Sequence, residues 1–294
     1  MSAAGGDLRR HLSGLIGFTL LAAVGVAGAL APFVAPMDPL ELDLAARLTA
    51  PSGQHLLGTD QAGRDLLSRI IWGTRESLFI AFGAVALGLA VGVTLGLAAG
   101  FRQGTMLETI IMRTFDILFS IPLLVLAVAV IGVVGTGSIT LGPITLGDQA
   151  KLIALIGLSF TPALGRVTYA STLVEAKSDY VRAKRSQGAS WIELIFVEIL
   201  PNVIPPVIVQ ATLFIGVAVI VEASLSFVGL GVQPPAPSWG TMLADARNYI
   251  FSGEWWIALF PGLAICITVV AFNLIGDTLR DLLDPRAGVR SGFI

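Results

Sequence analysis

The sequence predicts an all-α integral membrane protein with about six transmembrane helices, and three observations predict it. Of its 294 residues, 55% are hydrophobic and only 13% charged, and the mean hydropathy of +0.84 lies far outside the balance of a soluble domain. Six runs stay apolar over the roughly 20 residues that a spanning helix needs. Lysines and arginines gather at one side of those runs, as they do on the cytoplasmic side of membrane proteins.

Residues 1–11 carry Arg9 and Arg10 and read as a cytoplasmic N-terminus. Residues 12–32 form the first span. A cleaved signal peptide is the alternative, because the two arginines precede the run and Ala29-Leu30-Ala31 mimics a cleavage site. The run is longer than an ordinary signal core, and keeping it makes the number of spans even. Residues 33–77 follow as an external segment. The other spans run from Leu78 to Gly100, Phe115 to Gly135, Leu152 to Ala170, Ile204 to Gly229 and Trp256 to Ile275.

With the N-terminus inside, Arg102, Arg113, Arg166, Lys177, Arg182, Lys184, Arg185, Arg280, Arg286 and Arg290 fall on the cytoplasmic side. Arg47, Arg64, Arg69, Arg75, Lys151 and Arg247 dissent, most of them in the long external segment, where acidic residues are interleaved and the rule is weaker. Residues 279–294 are then a cytoplasmic C-terminus, and membrane lipid surrounds the chain.

Within the second span Ala84, Gly88, Gly92, Gly96 and Gly100 recur every four positions on one helix face. Such a small-residue stripe predicts close helix packing, within the chain or against a partner subunit. Pro122, Pro162 and Pro261 interrupt other spans and must kink them or pass freed backbone groups to neighbours. Trp239, Trp255 and Trp256 precede the last span, with Trp72 near the second. They sit in an interfacial belt or, equally for Trp239, inside an external cap.

Catalytic and metal-binding patterns are missing from the sequence. It has no phosphate-binding loop and no zinc-protease motif, and only two histidines, His11 and His55. The single cysteine, Cys266, excludes intrachain disulfides and cysteine-rich metal sites. A net charge of -2 argues against a nucleic-acid partner. Glu222 is the one carboxylate well inside a span. Leaving it unpaired there would cost several kcal/mol, so it either packs against polar partners or faces a substrate or ion path.

The most informative segment is the internal loop 171–202. Asp179 can cap a short helix whose Tyr180, Ala183 and Gln187 share a face, with Arg182, Lys184 and Arg185 making it basic. Gly188 supplies a left-handed stop. Ser190 to Glu193 reads as a capping box that opens a second helix, ending near Leu200-Pro201. On these grounds alone the element is a docking surface or an ordinary solvated loop.

Tyr180-Val181-Arg182-Ala183-Lys184-Arg185-Ser186-Gln187-Gly188-Ala189-Ser190, followed by Ile199-Leu200-Pro201-Asn202, resembles the EAA loop of binding-protein-dependent ABC importer permeases. Arg182-Ala183-Lys184 stands where that pattern has Glu-Ala-Ala. Residues 55–69, 233–240 and 272–286 narrow the resemblance to the C-type permease subunit of the peptide and nickel branch.

The resemblance implies a type I ABC importer permease fold, with residues 78–278 as a five-helix core and loop 171–202 as the coupling helix. It assigns ATPase coupling to Tyr180, Ala183, Lys184, Arg185, Gln187, Gly188 and Ala189, and leaves Glu222 as a possible pathway residue. It implies a homologous second permease, two cytoplasmic ABC ATPases that hold ATP and Mg, and a periplasmic or lipid-anchored solute-binding protein, in a bacterial inner membrane. The chain itself would bind no cofactor and catalyse nothing. The implied substrate is a di- or oligopeptide, with nickel or another small solute as the alternative. A proton-coupled secondary transporter would need a relay of intramembrane ionisable groups, whereas Glu222 stands nearly alone.

Overall fold

The computed structural model describes residues 2–141, 144–249 and 251–283, with side chains from Leu12 onward except at 141 and 144. Its long helices are α1 (Ser2–Ala29), α3 (Leu66–Phe101), α6 (Asp148–Glu175), α9 (Leu200–Phe227) and α11 (Trp256–Leu283), with α2 (Ala31–Val34) a single turn after the first. Among the described residues, five helices are long and apolar enough to cross a membrane. The pair α4 (Met106–Ser120) and α5 (Leu123–Val134), which meet at a bend of 89°, is apolar enough to make a sixth if it counts as one span. Pro122 stands at the break in extended conformation, so the third span is broken rather than merely kinked.

The centre of the fold is the pair α3 and α6. A Cβ added at Gly88 would stand 3.0 Å from the Gly157 carbonyl oxygen, at Gly92 2.9 Å from that of Thr161, and at Gly96 2.5 Å from that of Gly165. The stripe therefore lets two backbones touch within one chain. Ile80, Ala84, Leu152, Ile156 and Leu164 fill the seam, and α5, α9 and α11 pack around it. The first helix lies along α11, where Gly14 and Gly17 meet Thr278 and Leu274.

Two features depart from the expected pattern. The chain is not wholly helical, because β1 (Ile139–Leu141) and β2 (Ile144–Leu146) pair antiparallel between the third and fourth spans. The near-repeat Ile-Thr-Leu twice over alternates β-branched and apolar residues, which suits a short hairpin. Second, α3 begins at Leu66, well before the apolar run at Leu78. Asp65 accepts a hydrogen bond from the Ser68 amide at 2.8 Å and so starts the helix early.

One end of the bundle carries a cap built from residues 35–65 and α10 (Trp239–Ala246). Asp60 is its hub. Its carboxylate accepts from the Ala62 and Arg64 amides at 2.8 and 3.0 Å, from Arg64 Nε at 2.7 Å, and from Arg69. Asp245 of α10 lies 3.5 Å from Arg64, and His55 pairs with Asp65 at 3.1 Å. Burial raises the Asp245 carboxyl above its ordinary value, and the charges of Arg69 and Arg64 pull it back. Trp239 is buried in this cap and donates to the Ile70 carbonyl at 3.2 Å. Trp256 donates to the Thr59 carbonyl at the same distance. Trp255 remains exposed, as an interfacial ring would be.

Candidate functional site

At the opposite end of the bundle, α6 stops at Glu175 and the chain turns into α7 (Asp179–Ser186). Ser178, not Asp179, occupies the cap position, and Asp179 becomes the first helical residue. The Ser178 hydroxyl is turned back to the Glu175 carbonyl at 2.6 Å, so no side chain caps the helix, and Asp179 pairs with Arg182 at 3.1 Å instead.

Gly188 ends α7 at φ +88°, in the left-handed region. The Gly188 amide donates to the Arg185 carbonyl at 3.1 Å, and the Ala189 amide donates to that of Lys184 at 3.2 Å. These two bonds make a Schellman stop. Ser190 then accepts from the Glu193 amide at 3.2 Å and opens α8 (Trp191–Glu193).

The second helix does not end at Leu200-Pro201. It widens into a π-helical segment over Leu194–Ile199 and continues without a break as α9. Pro201 has no amide hydrogen and its ring crowds the carbonyl four residues before it, and a widened turn relieves that crowding.

Of the residues predicted to couple, Tyr180, Ala183, Lys184, Arg185, Gln187 and Gly188 are exposed together on the outside of this hairpin, and Ala189 is half-buried. Val181 alone of α7 is buried, in a cluster with Leu97 of α3, Leu194 and Ile199 of the π segment, and Val203 and Val207 of α9. It pegs the hairpin to two spans. Lys184 reaches Glu198 at 3.3 Å, and the Arg185 guanidinium lies 5.9 Å from the Phe101 ring. Burial, with the Glu175 carboxylate it donates to, pushes the Tyr180 phenol above its ordinary value.

Glu222 sits far from this hairpin, near the capped end of α9, and is fully buried. Ser77 of α3 donates to one carboxylate oxygen at 2.9 Å and Ser226 to the other at 2.7 Å. Ser226 Oγ also accepts the Val232 amide at 3.1 Å, and Ser77 Oγ the Trp239 amide at 3.4 Å. The carboxylate thus ties α9 to α3 and to the loop that leads into α10. Its Ser226 partner, one turn ahead on the same helix face, was visible in the sequence. Ser77, 145 positions away, was not.

The model of the family described as binding-protein-dependent transport system inner membrane component matches residues 92–289. The chain belongs to this family. It is 46% identical over 283 residues to a di/tripeptide transport system permease protein of Pseudomonas aeruginosa, covering 94% of this chain and 89% of that one. It is 44% identical over 257 residues to a probable D,D-dipeptide transport system permease protein of Escherichia coli, covering 87% and 82%. Among solved structures, a chain of the inward-facing MetNI methionine ABC transporter aligns with a TM-score of 0.59 at 20% identity, covering 73% of this chain and 96% of that one. At that identity the likeness is one of fold. The protein is therefore a multi-pass permease subunit of the ABC importer family, and its relatives are permeases rather than enzymes.

Proposed function

We propose that this permease forms half of a translocation path for di- or oligopeptides, beside a homologous second permease. The observation that carries the substrate is 46% identity, across 94% of the chain, to a di/tripeptide permease. A glutathione transport system permease protein of Pectobacterium atrosepticum, 39% identical over 280 residues, adds a second peptide.

In this reading the hairpin around Gly188 faces the cytoplasm and docks one of two ATPases that hold ATP and Mg, with both chain termini on the same side. The cap around Asp60 and Trp239 faces a periplasmic or lipid-anchored binding protein. The exposure of Tyr180, Ala183, Lys184, Arg185, Gln187 and Gly188 supports the docking assignment. Because Lys184 pairs with Glu198 of its own chain, the departure from the Glu-Ala-Ala pattern serves an internal contact. The full burial and complete pairing of Glu222 support a packing role over contact with substrate.

The test is uptake of radiolabelled dialanine into proteoliposomes holding both permeases and ATPases, with the cognate binding protein outside. ATP-dependent accumulation is expected. Accumulation of radioactive nickel in its place would overturn the peptide reading. Sidedness is checked by a cysteine at Gln187 in a Cys266→Ala background, which should react with an impermeant maleimide only in inside-out vesicles.

A further inference from the structure

The two ends of the hairpin are joined by a hydrogen-bonded cluster drawn from three helices. Tyr180, in the first turn of α7, donates its hydroxyl to Glu175 Oε2 of α6 at 2.5 Å. The Tyr180 hydroxyl oxygen accepts from Asn202 Nδ2 of α9 at 3.1 Å. The Asn202 amide also donates to the Glu198 carbonyl at 2.8 Å, which fixes its orientation. Tyr180 has one proton, and the carboxylate takes it in a charge-assisted bond, the stronger of its possible donations.

The covalent route from α7 to α9 passes through compliant structure. Gly188 makes an open turn with nothing within 4 Å of where a Cβ would stand. A six-residue π segment follows, and then Pro201, which has no amide hydrogen to give to the helix. Only Val181 of α7 is buried, so one apolar peg holds the helix against sliding. The rigid tyrosine ring and the Asn202 amide bypass all of this, linking α7 directly to α9.

We propose that Tyr180 and Asn202 form a latch that makes α7 and the first turn of α9 move as one body, so that displacement of the hairpin by an ATPase is passed to the span. The latch rests on the reading of α7 as the ATPase contact. Tyr180 and Asn202 are positioning residues here and touch no substrate. Because the phenol stands above its ordinary pKa, the latch stays protonated and closed throughout the neutral range.

The test uses the assembled transporter in proteoliposomes, with Tyr180→Phe, Asn202→Ala and the double variant. The readouts are the fold by which the binding protein stimulates ATP hydrolysis, dialanine taken up per ATP hydrolysed, and retention of the ATPase subunits on purification. Stimulation reads transmission through the permease and assumes nothing about the solute carried.

A roughly five- to tenfold fall in stimulation is expected for each single variant, within the usual range of coupling between sites. The double variant should be no worse than either single one, as for partners in one contact, and the ATPases should stay bound. Undiminished stimulation in Tyr180→Phe, additive losses in the double variant, or loss of the ATPases from Tyr180→Phe would each overturn the latch. The docking reading is checked apart from it by Ala183→Glu with Gln187→Glu, both at exposed positions. If that pair leaves both ATPase retention and stimulation untouched, docking fails whatever the latch variants do.

Discussion

Substituting Gly96 by alanine adds one carbon to the middle of the α3–α6 seam, and the outcome can be worked from distances. The new Cβ would stand 2.5 Å from the Gly165 carbonyl oxygen and 2.8 Å from Thr168 Cβ. The first neighbour is backbone and cannot rotate away, so the helices must part locally by about 0.9 Å to restore an ordinary contact. A gap of that size forfeits roughly a quarter to a half of the dispersion well for the atoms around it. Overpacking of this kind costs about 1–3 kcal/mol, and Gly96 belongs near the top of that range. Gly92→Ala and Gly88→Ala meet their carbonyl neighbours at 2.9 and 3.0 Å and should lose about 1 kcal/mol. Gly25→Ala meets nothing within 4 Å and should be neutral. The assay is the apparent unfolding midpoint of the purified protein in mild detergent, followed by tryptophan fluorescence. The expected order of loss is Gly96, then Gly92 and Gly88 together, then Gly25 level with the unsubstituted chain. If Gly25→Ala loses as much as Gly96→Ala, the seam is not what limits stability and the argument fails.

Gly188→Val puts a β-branched residue at φ +88°, at a cost of about 1–3 kcal/mol in strain; the ATPases should dissociate from the purified complex, whereas Gly188→Asn, which tolerates that region, should keep them. Glu222→Leu should lower the unfolding midpoint by several degrees because Ser77 and Ser226 lose their acceptor, while Glu222→Gln, which keeps one acceptor oxygen, should lose less; a leucine variant as stable as its parent refutes the pin. For Asp245 the folded pKa is raised, so the native state holds the proton more tightly than the unfolded chain does. Its contribution to stability is then greatest at low pH and declines as pH rises from the ordinary carboxyl value through the folded one. The stability of the unsubstituted protein relative to Asp245→Asn should fall over that window, and a difference independent of pH between about 3.5 and 7 refutes the assignment.

Local properties of the chain were the legible ones. Apolar length located the five long helices, because it depends on no partner. The stops and starts at Gly188 and Ser190 were readable for the same reason, since each is made by residues within one turn. Long-range packing decided the remainder. Nothing near Pro122 announces an 89° break rather than a kink, because the angle depends on where α5 finds its seat against α6. Pro201 looked like a terminator, and only the widened turn before it lets the helix run on. Residues 33–77 showed alternating charges, but that Asp60 gathers two arginines and that Arg64 also reaches Asp245 of the distant α10 is a property of the folded cap. Arg286 and Arg290, expected on the cytoplasmic side, lie outside the described residues.

Under the proposed reading, anchors at both ends make α9 the element along which coupling would run. At the hairpin end it holds Asn202 in the Tyr180 cluster, and at the capped end it holds Glu222 and Ser226 against Ser77 and the loop before α10. The helix is 28 residues long, about 42 Å at 1.5 Å per residue, enough to join the two faces of a membrane. The neighbouring α3 and α6 are backbone-to-backbone along the glycine stripe and form the stiffer body. A rod pinned at each end beside a rigid pair has two places where it can yield, the π segment over Leu194–Ile199 and the prolines at 205 and 206. The latch spans the first. In the proposed latch, motion passed by Tyr180 to Asn202 would bend α9 at Pro205 and Pro206, turn its capped half against α3 and pull on the loop to Trp239.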